Sequence, residues 1–201
     1  TGLLAALALS ETNYKITLID KQKFKKLNKN DIDFRTTAIS EGSKIFFEQI
    51  HLWNAIKKFA EKISYIKVFD RNRSSDLTFN NNDKEKNYLG YVIKNTFLKK
   101  ELIKILKLKK NVNLIEGEDL INIISIQDTQ KFITKKFSIL TSLTIVADGK
   151  KSTVRSIIKT PVYKKNYKHS ALFVNFNHTK NLNNTAYEIF LKTGPLAILP
   201  A

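Results

Sequence analysis

A carboxylate, a glycine, a hydroxyl and a guanidinium follow one another closely between Asp148 and Arg155. The apolar run 143–147 before them predicts a buried strand, and the residues after it predict a helix start with Ser152 as its N-cap. A sharp turn between a strand and a helix start is a geometry that binds diphosphates and ribose hydroxyls. In that geometry the Asp148 carboxylate can accept a hydrogen bond from a hydroxyl, and Gly149 permits the tight turn. An ordinary strand-to-helix loop would contain the same residues, so they do not decide between the two.

Gly2 and Asp20 have the spacing of the turn and the acid of a dinucleotide-binding fold. In such a fold a glycine-rich turn opens the first helix, and an acid at the end of the second strand holds the adenosine ribose. Gly2 opens an apolar helical pattern, and Asp20 ends the strand predicted over 15–20. Only the last glycine of the turn is in this sequence, and a small-residue helix followed by a strand ending in Asp is common. The pair alone is therefore a weak indication.

Three other segments have residues that could contact a cofactor or a substrate. Arg35 follows a polar loop and precedes a helix capped by Ser40, where it could face a diphosphate or the edge of a ring cofactor, or lie on an ordinary surface loop. Asn95 begins a long predicted helix and could donate its amide to a phosphate oxygen, although an N-cap role is the simpler interpretation. The run 194–200 is either an edge strand bounded by prolines or the wall of an aromatic-substrate pocket. The pocket residues would be Pro195, Leu196 and Ala197.

The residue types that carry other catalytic chemistry are missing or scattered. The sequence has no cysteine, which excludes disulfides and thiolate metal sites and fits a reducing compartment. No apolar stretch approaches the roughly 20 residues of a transmembrane helix, and no signal peptide is recognisable. We predict no metal site and name no catalytic residue, because the histidines have neither metal-ligand spacing nor the context of a Ser/His/Asp set. They are His51, His169 and His178.

The chain is strongly basic, with 35 Lys and Arg against 18 Asp and Glu and a formal net charge of +17. Such a charge invites a nucleic-acid or anionic-membrane hypothesis. The excess is mostly Lys, however, spread along the whole chain among many Asn and Ile residues, as an AT-rich genome would produce. We therefore discount the charge as an indication of a polyanionic partner.

Hydrophobic periodicity predicts the elements that position these residues. Their order is typical of an α/β dinucleotide-binding domain with a second β-rich layer. Because the chain starts inside a helical pattern and stops just after a strand-like run, we expect an internal fragment of a longer protein. A polar loop is predicted over 21–34 and a hairpin or surface excursion over 70–87. The predicted helices are 2–12, 40–50, 53–60 and 95–109, and the predicted strands are 15–20, 64–69, 88–93, 112–115, 119–126, 131–138, 143–147, 171–176 and 186–191.

Taken in this order, the segments resemble the flavoprotein aromatic hydroxylases of ubiquinone biosynthesis, a 2-octaprenyl-6-methoxyphenol-hydroxylase-like branch of the 4-hydroxybenzoate-hydroxylase-like group. The specific matches are Ala147–Arg155, similar to the family's Asp-Gly motif for FAD and NAD(P)H, and Gly194–Pro200, similar to its Gly-Pro-Leu-Ala-[Leu/Met]-Leu-Pro strand. Thr1–Ala5 resembles the end of the Gly-x-Gly-x-x-Gly turn, and Val92–Asn95 resembles the approach to a flavin-contacting helix. Asp33–Ser40 resembles the Asp-x-Arg-x-x-Ala-[Ile/Leu]-Ser segment. The first glycines of the turn and the family's later Gly-Asp-Ala-x-His segment are absent.

The resemblance implies a Rossmann-like FAD-binding domain of the glutathione-reductase-type layout and a β-sheet-rich substrate domain. It places the FAD-binding domain at 1–63 and 94–162, and the substrate-binding sheet at 64–93 and 163–201. The residues implied to bind the cofactor are Gly2, Asp20, Arg35, Asn95, Asp148, Gly149, Ser152 and Arg155, and those implied to line the substrate pocket are Pro195, Leu196 and Ala197.

The resemblance further implies a monooxygenase in which FAD is reduced by NAD(P)H and oxygen from O₂ passes to the ring of a prenylated phenol. The cofactor supplies that chemistry, and the protein orients it and excludes water. The implied location is cytoplasmic, with peripheral contact at the inner face of the bacterial inner membrane and with other ubiquinone-biosynthesis proteins, but not with nucleic acid. Two alternatives stay open. One is an FAD-dependent hydroxylase of another aromatic compound, and the other is a basic nucleic-acid- or anionic-lipid-binding module without catalysis.

Overall fold

The structure, a computed structural model, describes residues 1–24, 33–71, 76–81 and 88–200. Its helices are α1 (Gly2–Leu9), α2 (Glu41–Gln49), α3 (Trp53–Ile56), α4 (Asn95–Leu106) and α5 (Thr153–Ile157), with a 3₁₀ turn over Lys57–Phe59. Its strands are β1 (Ile16–Asp20), β2 (Thr36–Ser40), β3 (Ala60–Ile63), β4 (Tyr65–Asp70), β5 (Asp76–Asn80), β6 (Gly90–Lys94), β7 (Val112–Glu116), β8 (Leu120–Ile126), β9 (Thr129–Thr134), β10 (Ser138–Thr141), β11 (Thr185–Leu191) and β12 (Gly194–Ile198).

The first compact unit, Thr1–Asn28 with Leu102–Ala171, is built on a parallel pair of strands. β1 pairs with β7 so that Asp20 lies opposite Glu116 at the carboxyl edge of the pair. α1 leads into β1 and is apolar along its whole length, and none of its residues is exposed, as expected of a helix packed on all sides. An antiparallel sheet in the order β10-β9-β8 completes the unit. Its buried apolar side chains include Ala6, Leu7, Leu102, Leu106 and Val154.

The second compact unit, Lys29–Glu101 with Leu172–Ala201, contains two sheets in its described residues. The larger sheet has the order β12-β11-β4-β5, in which β11 is parallel to β4 and the other pairs are antiparallel. The smaller sheet has the order β2-β6-β3 and is antiparallel. A buried cluster of Ile63, Val92 and Ala186 joins the sheets, since these residues lie in β3, β6 and β11.

The structure confirms most of the predicted elements and corrects two of the strands. The runs 143–147 and 171–176 pair with no described strand, and Ile145, Val146 and Leu172 are 53%, 47% and 91% exposed. An apolar, β-branched run satisfies the sequence pattern of a strand, but a ladder also needs a partner strand. These two strand predictions are therefore wrong.

Smaller differences concern element length. The helix predicted over 53–60 ends at Ile56, continues as the 3₁₀ turn, and gives way to β3 at Ala60. The short strands β2, β3 and β10 were not predicted. β4 and β5 form an antiparallel pair, which confirms the hairpin, whereas residues 72–75 and 82–87 of that excursion and 25–32 of the polar loop lie outside the described residues.

The side-chain amide of Asn111 links the loop before β1 to the loop before β7. Nδ2 of Asn111 donates to the backbone oxygens of Ser10, Thr12 and Tyr14 at 3.1, 3.0 and 3.1 Å. The backbone oxygen of Asn111 accepts from the N–H of Ile16 at 2.8 Å. The loop after α1 is therefore held against the start of β7, which fixes where β1 begins.

We expect Asn111→Ala to lower the free energy of unfolding by about 2 kcal/mol, because the two N–H donors that its carboxamide shares among three carbonyl groups are lost, and each contributes about 1 kcal/mol net. Asn111→Asp should cost more, since a carboxylate sets negative charge against the same carbonyls. Urea denaturation measures both. Asn113→Ala, at an exposed position of β7, is the matched control and should change stability by less than about 0.5 kcal/mol. Wild-type stability of Asn111→Ala would contradict the role of Asn111.

Candidate functional site

In the first unit, the turn at Asp148 is closed by its own hydrogen bonds. Oδ2 of Asp148 accepts from the backbone N–H of Val154 at 3.2 Å. Oγ of Ser152 accepts from the N–H of Arg155 at 3.0 Å, which confirms Ser152 as the N-cap of α5. Gly149 has a φ of 83°, a left-handed conformation that favours glycine. The predicted strand, turn and helix are therefore present as a turn and a short helix, without the strand.

The carboxyl group of Asp148 is ionised at neutral pH. Partial burial acts to raise its pKa, but hydrogen bonds from the Ser152 hydroxyl and from the backbone N–H groups of Val154 and Thr153 outweigh burial, so the pKa lies below its usual value. The carboxylate therefore already occupies the positive end of α5. An ionised carboxylate has about four acceptor positions, so Asp148 can still accept a hydrogen bond from a ligand hydroxyl.

Two of the predicted cofactor-binding residues act on the turn itself. Nη2 of Arg155 donates to the backbone oxygen of Lys150 at 2.7 Å. Ser152 is buried, and its side-chain oxygen serves the helix cap. Both side chains therefore stabilise the loop between Gly149 and α5, and a direct contact of either with a cofactor stays a prediction.

The start of α1 lies beside this turn. A Cβ atom placed on Gly2 would be 3.4 Å from the Cβ of Ala147, the residue before Asp148. The first N–H groups of a helix have no acceptor within the helix and carry the positive end of its dipole. The structure thus brings two predicted segments together: a helix start that suits an anion, and a turn with a carboxylate that suits a hydroxyl.

Asp20 lies half-buried at the carboxyl edge of the parallel pair. Its Oδ1 accepts from the backbone N–H of Gln22 at 2.8 Å, and its backbone oxygen accepts from the N–H of Gly117 at 2.8 Å. Among the described residues none donates to Oδ2. The neighbouring Glu116 accepts at Oε2 from the N–H of Phe24 at 2.7 Å. A carboxylate anchored by one oxygen at the end of a parallel strand can accept a ribose hydroxyl with the other.

In the second unit, Arg35 and Asn95 meet in a hydrogen-bonded group with Asp33 and Thr37, which we call the Arg35 cluster. Arg35 and Asp33 form a bidentate ion pair, with Nε 2.7 Å from Oδ1 and Nη2 2.8 Å from Oδ2. The N–H of Asn95 donates to the backbone oxygen of Arg35 at 3.0 Å. Oδ1 of Asn95 accepts from the Thr37 hydroxyl at 2.5 Å. These contacts continue the ladder between β2 and β6 past its last paired residues, Thr36 and Lys94.

The charges of the Arg35 cluster balance. The hydrogen bond from Arg35 lowers the pKa of Asp33 below its usual value, and the Asn95 side chain adds to that effect. The same bond raises the pKa of Arg35. Asp33 and Thr37 are not among the predicted site residues. The only sequence feature that could have indicated Asp33 is its position two residues before Arg35. Asn95 is the first residue of α4, and its carboxamide serves the cluster instead of acting as a simple N-cap.

On the larger sheet, Leu196 belongs to a row of side chains that crosses all its strands. Leu196 pairs with Ile189, Ile189 with Phe69, and Phe69 with Asp76. Directly paired residues point to the same face of a sheet, so the row lies on one face. Ile189, Phe69 and Asp76 also line a surface pocket, together with Asp70 and Arg71.

The other two predicted pocket residues lie elsewhere. Side chains alternate along a strand, so Pro195 and Ala197 point to the face opposite Leu196. Ala197 pairs with Glu188, and Pro195 pairs with Phe190. The structure therefore links only Leu196 to the pocket. Among the described residues, no group of His, Asp or Glu has an arrangement that could hold a metal ion.

Comparison with curated proteins finds relatives along most of the chain, although no protein-family model matches it. The ubiquinone biosynthesis monooxygenase COQ6 of Dictyostelium discoideum is 25% identical over 92% of this chain and 44% of its own length. COQ6 of Caenorhabditis elegans is 28% identical over 83% of this chain and 38% of its own length. The ubiquinone hydroxylase UbiL of Rhodospirillum rubrum is 23% identical over 99% of this chain and 46% of its own length. The chain thus spans less than half the length of these relatives.

Solved structures share the fold. A flavoprotein/dehydrogenase from Cytophaga hutchinsonii superimposes with a TM-score of 0.65 and 13% identity, covering 94% of this chain and 47% of its own. The p-nitrophenol 4-monooxygenase PnpA of Pseudomonas putida gives a TM-score of 0.64 and 18% identity, covering 78% of this chain and 40% of its own. The flavin-dependent monooxygenase PieE, solved with FAD and substrate, gives a TM-score of 0.62 and 13% identity, covering 79% of this chain and 30% of its own.

These comparisons confirm the α/β fold with a sheet-rich part that the sequence predicts. Because the solved structures are distant in sequence, they establish the fold alone. The curated relatives carry the resemblance in sequence, over nearly the whole chain. The chain is therefore similar in sequence to the ubiquinone-biosynthesis monooxygenases and has the fold of the flavin-dependent monooxygenases.

Proposed function

We propose that this chain is the flavin-binding part, with a portion of the substrate sheet, of an FAD-dependent monooxygenase. The full-length protein would hydroxylate the aromatic ring of a prenylated phenol in ubiquinone biosynthesis, using NAD(P)H and O₂. The observation that carries the proposal is the sequence similarity to COQ6 and UbiL proteins, which extends over 83% to 99% of the chain. FAD, when bound, supplies the redox chemistry, and the side chains described above supply binding and orientation.

The first unit offers groups that fit the two polar parts of a dinucleotide. The N–H groups at the start of α1 suit a diphosphate. Because Gly2 has no side chain, the backbone at the start of α1 can lie close to Ala147. Asp20 and Asp148 suit hydroxyl groups, because each carboxylate is anchored locally and retains acceptor capacity. These residues belong to the segments 1–63 and 94–162, to which we assign FAD binding.

The second unit offers a cation for the flavin nucleotide and an apolar surface for the substrate. Arg35, 70% exposed, can donate to an anionic or carbonyl oxygen. The row from Leu196 through Ile189 to Phe69 presents apolar side chains of the kind that contact an aromatic ring or a prenyl tail. We assign the substrate-binding sheet to 64–93 and 163–201, which contain this row.

A prenylated substrate would require contact with a membrane surface. No helix among the described residues is long and apolar enough to cross a membrane. A net charge of +17 favours attraction to anionic lipid, at about 1 kcal/mol for each Lys or Arg near the surface. From the prenylated substrate and the basic charge, we propose peripheral contact with the cytoplasmic face of the membrane, near other proteins of the same biosynthetic route.

The complete reading frame, when expressed, should have the visible absorbance of bound flavin and should release FAD on denaturation. A folded, colourless protein that binds no added FAD would overturn the proposal. Oxidation of NAD(P)H in air, with analysis of the hydroxylated product, separates the aromatic substrates. Turnover of prenylated phenols supports the ubiquinone role, whereas turnover only of unprenylated aromatics supports another hydroxylase. Steeply salt-dependent DNA binding by a flavin-free protein would favour the binding-module alternative.

Asp148→Ala in the full-length protein should weaken FAD retention, or slow its reduction by NAD(P)H, by about tenfold or more, because a hydrogen bond to a charged acceptor contributes about 1.5–3 kcal/mol. Equilibrium dialysis and stopped-flow absorbance measure the two effects. Val154→Ala is the control, since it loosens the same helix by removing buried apolar atoms but keeps the carboxylate. Equal FAD affinity and equal reduction rate in Asp148→Ala and wild type would remove the assignment.

A further inference from the structure

We propose that Asp33 and Thr37 are positioning residues that fix the direction of the Arg35 guanidinium and so set the affinity for the flavin dinucleotide. The inference rests on the proposed function, because it takes FAD as the ligand of Arg35. It adds two residues that were not predicted to belong to the site. The geometry of the Arg35 cluster carries it, one contact at a time.

Asp33 restrains the guanidinium from one side. It accepts from Nε and Nη2 of Arg35 at 2.7 and 2.8 Å, and its Oδ1 also accepts from the backbone N–H of Arg35 at 3.1 Å. Two parallel N–H···O bonds fix the plane of a guanidinium as well as its position. The group has five N–H donors, of which two point to Asp33, so three remain for a ligand.

Thr37 restrains the same network from the other side, through Asn95. The Thr37 hydroxyl donates to Oδ1 of Asn95 at 2.5 Å, which leaves the Asn95 amide group as a donor. The backbone N–H of Asn95 in turn donates to the carbonyl oxygen of Arg35 at 3.0 Å. The ladder between β2 and β6 supplies the backbone frame, because Arg35 and Asn95 directly follow its last pair, Thr36 and Lys94. Thr37 therefore holds the side chain of Asn95, and the backbone of Asn95 holds that of Arg35.

This arrangement is not needed to place positive charge near a ligand. A negative charge beside Arg35 reduces its attraction for the diphosphate of FAD, so on charge alone Asp33 should oppose binding. What Asp33 provides is restraint, because an exposed arginine has many rotamers and holding one of them in advance removes a cost of binding. The two effects have opposite signs, and that difference makes the role of Asp33 testable.

The test measures FAD affinity of the full-length apoprotein by fluorescence titration for wild type, Asp33→Asn, Thr37→Val and Thr37→Ser. If Asp33 positions Arg35, Asp33→Asn should weaken FAD binding by about threefold to tenfold, as expected for releasing a rotamer-rich side chain. If Asp33 acts only as a charge, the same variant should bind FAD more tightly, and the inference fails. Asp128→Asn, in the exposed turn between β8 and β9, makes the same charge change elsewhere and should leave the affinity within about twofold.

Thr37 and Arg35 provide the internal checks. Thr37→Val should weaken FAD binding by a smaller factor and Thr37→Ser should restore it, whereas a loss of packing would not be rescued by serine. In an Arg35→Ala background, Asp33→Asn should have no further effect, because no guanidinium is left to position. An undiminished effect of Asp33→Asn there would overturn the inference.

Two further measurements keep the outcomes separate. Thermal unfolding of each apoprotein identifies a variant that has lost its fold, and Thr37→Val keeps the inference testable if Asp33→Asn is one of these. In ¹⁵N spectra, the Nε–H signal of Arg35 should lose its protection from exchange in Asp33→Asn, whether or not FAD is present. A wild type that binds no FAD refutes the proposed function. A wild type that binds FAD, with affinity unaltered in Asp33→Asn, refutes only the positioning role.

Discussion

The parallel ladder between β1 and β7 is the constraint on which the first unit depends, because no tight hairpin can join parallel strands. Its two strands lie far apart in the sequence, so closing the ladder costs chain entropy. The hydrogen bonds and packing of the paired strands must offset that cost. Asn111 contributes by holding three carbonyls of the chain after α1 against the start of β7. The register then sets Asp20 at the carboxyl edge, where open α/β sheets bind their ligands.

In each unit, short hydrogen bonds to near neighbours hold the candidate polar groups in place. Asp20 is anchored by Gln22, and Asp148 by the first turn of α5. Arg35 is anchored by Asp33 in the same way. Each anchor takes up part of a side chain's hydrogen-bonding capacity and leaves the rest for another molecule. The binding groups are thus oriented before a ligand arrives, which lowers the ordering cost of binding.

Some features of this local kind could be predicted from the sequence. The N-cap at Ser152 and the positive φ at Gly149 depend on residues within one turn, and both are found. Pairing between distant segments could not be predicted from composition. The run 143–147 has the apolar content of a strand but no described partner, and the meeting of Arg35 with Asn95 depends on a register between β2 and β6 that no local pattern specifies. The face of the sheet to which Leu196 points follows from its pairing with Ile189, and the sequence alone could not predict that pairing either.

The net charge of +17 acts over long distances, whereas the candidate binding groups act only over hydrogen-bonding distances. Dispersed lysines attract every anion, and salt screens that attraction beyond roughly 10 Å at 0.1 M ionic strength. At short range, Asp20 and Asp148 of the first unit offer acceptors, and in the second unit the exposed Arg35 is already paired with Asp33. Total charge therefore cannot select a dinucleotide from other anions in this protein. Selection must come from direction: N–H groups at the start of α1 and the three outward donors of Arg35 for oxygen anions, and anchored carboxylates for hydroxyls. A basic protein needs such directional groups more than a neutral one does, because its long-range field brings the wrong anions to its surface as readily as the right one.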